Sequence, residues 1–204
     1  MRVVAFIPAR GGSKRIPRKN LRKVGGMSLL VRSIAHAQAA GIERIVVSTE
    51  DLEIAHAASQ EPGVEIHVRP RELASDGAQI EDAIAHWAET DDAWDAMVLL
   101  QPTSPLRRPE TIRACLDAMS DHGDTAHTIV DHAMYDHRCR EPDTFDRDAG
   151  CVYAFTRQHW ERERCRYWGP DIGGVFVDRF EAMEVDDPRD LLVAEALLAA
   201  RETR

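Results

Sequence analysis

Cysteines, aromatic residues and long apolar runs are all in short supply in this chain. Its 204 residues hold four cysteines, Cys115, Cys139, Cys151 and Cys165, and no two stand in CxxC spacing. Zinc-ribbon and thioredoxin-type readings therefore fail. So few thiols make no disulfide framework, and reduced cysteines in a cytoplasmic protein are expected. No uncharged apolar stretch approaches the ~18 residues that span a bilayer. The N-terminal run Val3 to Ile7 is too short for a signal sequence, and no small-residue cleavage site follows it. A soluble chain without membrane contact is expected. Positive charge is also in deficit: 26 Lys and Arg against 35 Asp and Glu give a net charge of -9. A cationic face for nucleic acid is thereby excluded as the main business of the protein. A small anionic ligand in a local basic pocket is not.

What is present suffices for a folded domain. With 44% hydrophobic and 30% charged residues, the chain can build a core under a solvated surface. Its length suits a single domain over 1–204. Val3 to Ile7, Ile45 to Ser48, Val64 to Val68 and Ala96 to Leu100 are short apolar runs rich in β-branched residues. Such runs mark strands buried on both faces of a parallel sheet. Between them, Ser28 to Ala40, Asp51 to Ser59, Gln79 to Thr90 and Pro109 to Met119 read as helices, the first stopping at Gly41. Strands alternating with helices predict an α/β fold. Beyond about residue 124 the alternation weakens. Thr125 to Val130, Cys151 to Phe155 and Gly174 to Val177 read as strands, Asp187 to Ala200 as a final helix, and 131–149 as a polar, irregular stretch.

The most informative segment is Pro8-Ala9-Arg10-Gly11-Gly12-Ser13-Lys14-Arg15-Ile16-Pro17-Arg18-Lys19-Asn20, directly after the first strand. In open α/β sheets ligands bind beyond the carboxyl ends of strands. Gly11 and Gly12 let the backbone approach an anion closely, and successive N–H groups can cradle phosphate. Arg10, Lys14, Arg15, Arg18 and Lys19 concentrate positive charge inside an acidic protein, which points to an anionic ligand. Neither GxxxxGK[ST] nor GxGxxG is present, so this is not a P-loop or a dinucleotide fingerprint.

Ile7-Pro8-Ala9-Arg10-Gly11-Gly12-Ser13-Lys14 with Ile16-Pro17-Arg18-Lys19-Asn20 resembles the signature of the acylneuraminate cytidylyltransferases, the CMP-sialic acid synthetases and their nonulosonic acid relatives. Three further segments resemble the same family in the same order. They are Arg69-Pro70-Arg71-Glu72-Leu73-Ala74, Leu100-Gln101-Pro102-Thr103-Ser104-Pro105-Leu106-Arg107, and Glu184-Val185-Asp186-Asp187-Pro188 with Asp190.

The resemblance implies a Rossmann-like nucleotidyltransferase fold with a mostly parallel central sheet and a short dimerisation arm, here 131–149, in a homodimer. It implies CMP transfer from CTP to a sugar acid, with pyrophosphate leaving and Mg2+ as cofactor. By that resemblance Arg10, Gly11, Gly12, Ser13, Lys19 and Asn20 meet the triphosphate, with Lys19 on the leaving group. Arg69, Ala74 and Ser75 surround the cytidine, and Gln101 orients nucleotide or sugar. Arg10, Lys19 and Gln101 form the catalytic set, and Glu184 and Asp186 hold the metal. Two carboxylates plus substrate phosphates suit Mg2+, and two residues apart on a strand end they face one side. Asp187 is expected to cap the last helix, with Pro188 as its first residue.

Other readings stand beside this one. The acceptor can be a 3-deoxy-octulosonic acid or another carboxylate or phosphonate. The octulosonic sister family usually carries Gln-Gly-Asp where this chain has Gln101-Pro102-Thr103. The short arm also motivates a nucleotide-binding module without turnover. Arg138 and Arg140 are candidates for a substrate carboxylate. His122, His127, His132 and His137 recur every five residues, a period of neither helix nor strand, so a solvated loop is expected. Asp76 is read either as a ligand-side residue or as a loop cap, and Trp87, Trp94, Trp160 and Trp168 as core or hinge residues.

Overall fold

The computed structural model describes residues 1–130, 147–166 and 172–202. Cys139, His132, His137, Arg138, Arg140 and Trp168 lie outside the described residues, as does the expected arm up to residue 146.

Seven strands form one sheet. They are β1 (Val3–Pro8), β4 (Arg44–Thr49), β5 (Val64–Val68), β6 (Ala96–Leu99), β7 (Thr125–Val130), β8 (Arg147–Thr156) and β9 (Ile172–Phe176). A small hairpin, β2 (Lys23–Val24) with β3 (Met27–Ser28), stands apart. The sheet order is β5-β4-β1-β6-β8-β7-β9. β8 is antiparallel to both its neighbours, while every other pairing is parallel. The expected mostly parallel α/β sheet is present. Arg147, Asp148 and Ala149, read from sequence as the end of the irregular stretch, instead open β8.

Alternation along the strands makes two cores. Ala5 and Ile7 of β1 join Ile45, Val47 and Val98 under α1 (Leu29–Ala39), α2 (Leu52–Ser59) and α4 (Pro109–His122). Val4 and Phe6 face the other way, with Met97, Leu99, Tyr153 and Phe155, against α3 (Ile80–Ala88) and α5 (Arg157–Glu163). Each fully buried aliphatic or aromatic side chain contributes about 1.5–3 kcal/mol of transfer free energy. Trp87, Trp94 and Trp160 are core residues, as expected. Cys115, Cys151 and Cys165 are free thiols.

Local chemistry sets the ends of the helices. The Ser28 hydroxyl accepts from Val31 N, and the Asp51 carboxylate from Glu53 N and Ile54 N. The last helix, α6 (Pro188–Glu202), begins with Pro188, and Asp187 Oδ1 accepts from Arg189 N at 2.6 Å. Asp190 Oδ2 returns to the amides of Asp186 and Asp187, both at 2.7 Å, the reciprocal arrangement of a capping box. The expected cap is thus in place. Among the described residues no helix is long and apolar enough to cross a membrane.

One buried and one half-buried imidazole, His67 and His36, make the fold acid-sensitive. Burial, with the charges of Arg107, Arg32 and Arg201 nearby, pushes His36 down to about 3. Burial and His86 push His67 down to about 4. Both rings stay neutral in the fold, while the unfolded chain takes up protons near the ordinary value of 6.5. The unfolded state therefore binds more protons between these values, and stability falls as the pH drops below 6.5. The limiting slope is about 1.4 kcal/mol per pH unit for each ring. Urea unfolding from pH 7 to pH 4 should show this loss. His36→Leu should flatten the slope by roughly one ring's share; an unchanged slope would remove His36 from the account.

Candidate active site

β1 pairs with both β4 and β6, so the chain leaves β1 toward one edge of the sheet and later returns to its other side. The carboxyl ends of β1 and β6 therefore flank a topological switch point, where open α/β sheets bind ligands. A cleft of about 410 Å³ lies there. Ala9 N reaches Ser48 O at 2.9 Å and Leu100 N reaches Phe6 O at 3.0 Å, so backbone ladders carry the strands up to its floor.

The structure brings Arg10, Ser13, Lys19, Asn20, Arg69, Ser75, Gln101, Glu184 and Asp186 together around this one cleft. They come from four segments far apart in sequence. Asn20 is buried and donates from Nδ2 to Arg10 O at 2.9 Å, which closes the basic loop on itself. Arg18, one residue before Lys19, sits in the left-handed region at φ 56° and turns the chain inward. Lys19 Nζ donates to Val185 O at 2.9 Å and pairs with Asp186 Oδ1 at 3.0 Å. Arg10 Nη1 donates to Ser75 O at 3.1 Å and pairs with Asp76 at 3.2 Å; Lys14 pairs with the same carboxylate at 2.5 Å.

Gly11, Gly12 and Ala74 are placed differently. They border two neighbouring depressions and are not among the residues lining the cleft. Gly11 N donates to Glu50 Oε1 at 2.8 Å rather than into the cleft. A Cβ on Gly11 would lie 2.4 Å from Asp51 Oδ2, so the glycine allows a close approach to the start of α2. Ala78, Gln79 and Ile80 line the cleft but carry no motif that would single them out. They are delivered by the chain entering α3, a position set by the fold.

Glu184 and Asp186 share one side, as their spacing requires, yet not on a strand. They lie on an extended segment before α6, anchored by Val185 N to Thr103 O at 2.7 Å. Val185 is fully buried with Ile16, Leu29 and Ala194. A second cavity of about 440 Å³ adjoins the first and shares Gln101 and Glu184 with it. Asp148, Gly150 and Tyr153 also line it. Tyr153 donates to Asp148 at 2.5 Å and Gly150 N to the same carboxylate at 2.8 Å. His127, expected in a solvated loop, is on β7 and stacks on Tyr153 at a ring distance of 6.1 Å.

The cytidylyltransferase family profile matches residues 4–146 of this chain. The CMP-N,N'-diacetyllegionaminic acid synthase of Legionella pneumophila is 36% identical, over 97% of both chains. The pseudaminic acid cytidylyltransferase of Campylobacter jejuni is 38% identical, over 97% of this chain and 96% of its own. The chain belongs to the cytidylyltransferase family. Among solved structures, a CMP:2-keto-3-deoxy-manno-octonic acid synthetase complexed with CTP shares its fold. That likeness has a TM-score of 0.76 and covers 98% of this chain and all of the other at 21% identity.

The cleft of this cytidylyltransferase holds charges of both signs. Burial pushes the Arg69 guanidinium down, and Glu50, 3.5 Å away, works against that. Lys14, with Arg10 behind it, holds Asp76 below the usual carboxylate range. Burial raises Glu184, and the charges of Asp186 and Asp148 raise it further. Crowded carboxylates of this kind favour a nearby cation. Among the described residues no cluster of three or more His, Cys, Asp or Glu is arranged for a metal. Two hard carboxylates suit an ion that takes its remaining ligands from phosphate and water.

Gly150 makes room for Glu184. Its φ is +70°, and a Cβ there would lie 2.7 Å from Glu184 Oε1. Gly150→Ala should lower the unfolding free energy by about 1–2 kcal/mol through left-handed strain alone, more if Glu184 is displaced. Urea titration of the two proteins measures it.

Proposed function

We propose that this cytidylyltransferase transfers CMP from CTP to a hydroxyl of a nonulosonic, sialic-acid-like sugar acid and releases pyrophosphate, using Mg2+. One observation carries the reading: Arg10, Lys19 and Arg69 line the same cleft at the strand ends as Glu184 and Asp186. Charge of both signs suits a triphosphate held by cations and by a metal. The nonulosonic acceptor is supported by the named chemistry of the relatives at 36% and 38% identity.

In the proposed mechanism Arg69 and the backbone near Ser75 and Ala78 take the cytidine end. Arg10 and Ser13 hold the phosphates. Lys19 exchanges Asp186 for the oxygens of the departing pyrophosphate, a point charge where negative charge accumulates. Asp186 and Glu184 would hold Mg2+, which supplies charge neutralisation at the phosphate oxygens. Gln101 stands between the two cavities and orients the acceptor hydroxyl toward the α-phosphate. Its amide is anchored on Gly150 O at 3.3 Å. The adjoining cavity receives the sugar acid. Holding both reactants in line supplies most of what phosphoryl transfer asks of a protein. The proposal is of one cytidylyltransferase domain over 1–204, in a cytoplasmic homodimer.

Pyrophosphate release tests the reading, with Mg2+, each of the four nucleoside triphosphates, and a panel of nonulosonic and octulosonic acids. Release is expected with CTP and a nonulosonic acid. Release only with an octulosonic acid would overturn the acceptor, and release with another nucleotide would overturn the cytidine assignment. Lys19→Ala should lower kcat by about 100-fold or more, the scale of losing one preorganised charge at a transition state, with the fold intact by circular dichroism. Asp186→Ala should raise the Mg2+ concentration needed for half-maximal rate. Wild-type turnover in Lys19→Ala would remove Lys19 from the leaving-group side.

A further inference from the structure

Arg107 is the most deeply buried cation in the described chain, 2% exposed. No carboxylate lies within ion-pair distance of it among the described residues, and burial pushes it down to about 10. The charge of Glu181 favours it from beyond pairing distance, but burying a guanidinium without a direct ion pair is costly, so its hydrogen bonds have to explain it. Arg107 Nη1 donates to Cys151 O at 2.6 Å and to Gln101 O at 3.3 Å. Nη2 donates to Ser33 Oγ on α1 at 2.8 Å.

These partners mark a fork in the sheet. The antiparallel ladder between β6 and β8 runs from Ala96↔Thr156 to Leu99↔Tyr153 and ends there. β6 ends at Leu99, and beyond the ladder the Gln101 carbonyl accepts from Ser104 N at 3.3 Å and from Arg107, which also reaches the Cys151 carbonyl. The fork is where the two cavities meet, with Gln101 lining both. Across it the Gln101 side chain reaches Gly150 O, the carbonyl next to Cys151.

We infer that Arg107 is a positioning residue: its guanidinium holds the fork between β6 and β8 at a fixed width and so aims Gln101 between nucleotide and acceptor. The planar fork of five donors is what allows one side chain to span two carbonyls and a hydroxyl. A lysine ammonium has no such reach. This inference rests on the role proposed for Gln101.

The test compares Arg107→Met, Arg107→Lys and Ser33→Ala with the wild type. Arg107→Met keeps the volume and loses the donors; Arg107→Lys keeps the charge and loses the fork. Both should lower kcat by about 100-fold, as expected for a reacting group displaced by roughly 1 Å. KM for CTP should move by no more than about threefold, since the ground-state contacts to the nucleotide are made elsewhere. Ser33→Ala removes one partner away from the cleft; it should lower Tm and leave kcat at the wild-type value. The Gln101 side-chain amide signals in a 1H–15N spectrum should shift in Arg107→Met and not in Ser33→Ala. Wild-type kcat in Arg107→Met, or in Arg107→Lys, would overturn the inference. So would an equal kcat loss in Ser33→Ala, which would make the effect one of stability. If the wild-type protein transfers CMP to no nonulosonic acid, the functional reading fails by itself. The amide signals of the ligand-free protein still decide whether Arg107 places Gln101.

Discussion

Positive charges gathered on one loop repel one another, and here each is paired with a carboxylate from a different part of the chain. Arg10 and Lys14 share Asp76, Arg18 is paired with Asp51 and Glu53, and Lys19 with Asp186. Arg69, from another loop, is paired with Glu50. Exposed pairs of this kind contribute little to stability singly. Their placement matters more. They tie the loop after β1 to the entries of α2, α3 and α6 and hold it as one wall of the cleft.

The strand order turns this wall into a site. β1 lies between β4 and β6, so its loop opens where the crossovers diverge. Reversal of β8 brings Gly150 and Asp148 up to the same end of the sheet as Gln101. The single antiparallel strand thereby places a second cavity beside the first. Arg107 stands behind the junction in the core, and Gly150 leaves Glu184 the space to reach it. The residues lining the two cavities cluster where regular pairing stops: after β1, at the fork of β6 and β8, and on the unpaired segment before α6.

Much of this was legible in the residues. Strand positions were visible because parallel strands buried on both faces must be continuously apolar, as in Val3 to Ile7. Helix starts were visible at Asp51 and Pro188, because capping chemistry is local. The cleft residues Arg10, Lys19, Arg69, Gln101 and Asp186 were picked out by charge and by motif resemblance. What could not be read was which way a backbone group points. The amide of Gly11 looked available to phosphate, yet it is engaged by Glu50. Ala78, Gln79 and Ile80 had no distinguishing chemistry, and α5, with Trp160 as its one apolar residue, carried no periodic signal.

The sequence by itself determined the class of fold, the acidic surface with its basic loop, and the residue types available for nucleotide chemistry. These follow from periodicity, composition and local spacing, each of which is written along one dimension. Tertiary structure alone decided which charges meet in the cleft, that Gln101 and Glu184 belong to two cavities at once, and that Arg107 braces the fork between them. Lys19 and Asp186, 167 residues apart in the chain, are 3.0 Å apart in the fold. Such distances depend on how the strands are ordered and where their ladders end, and no local pattern encodes either.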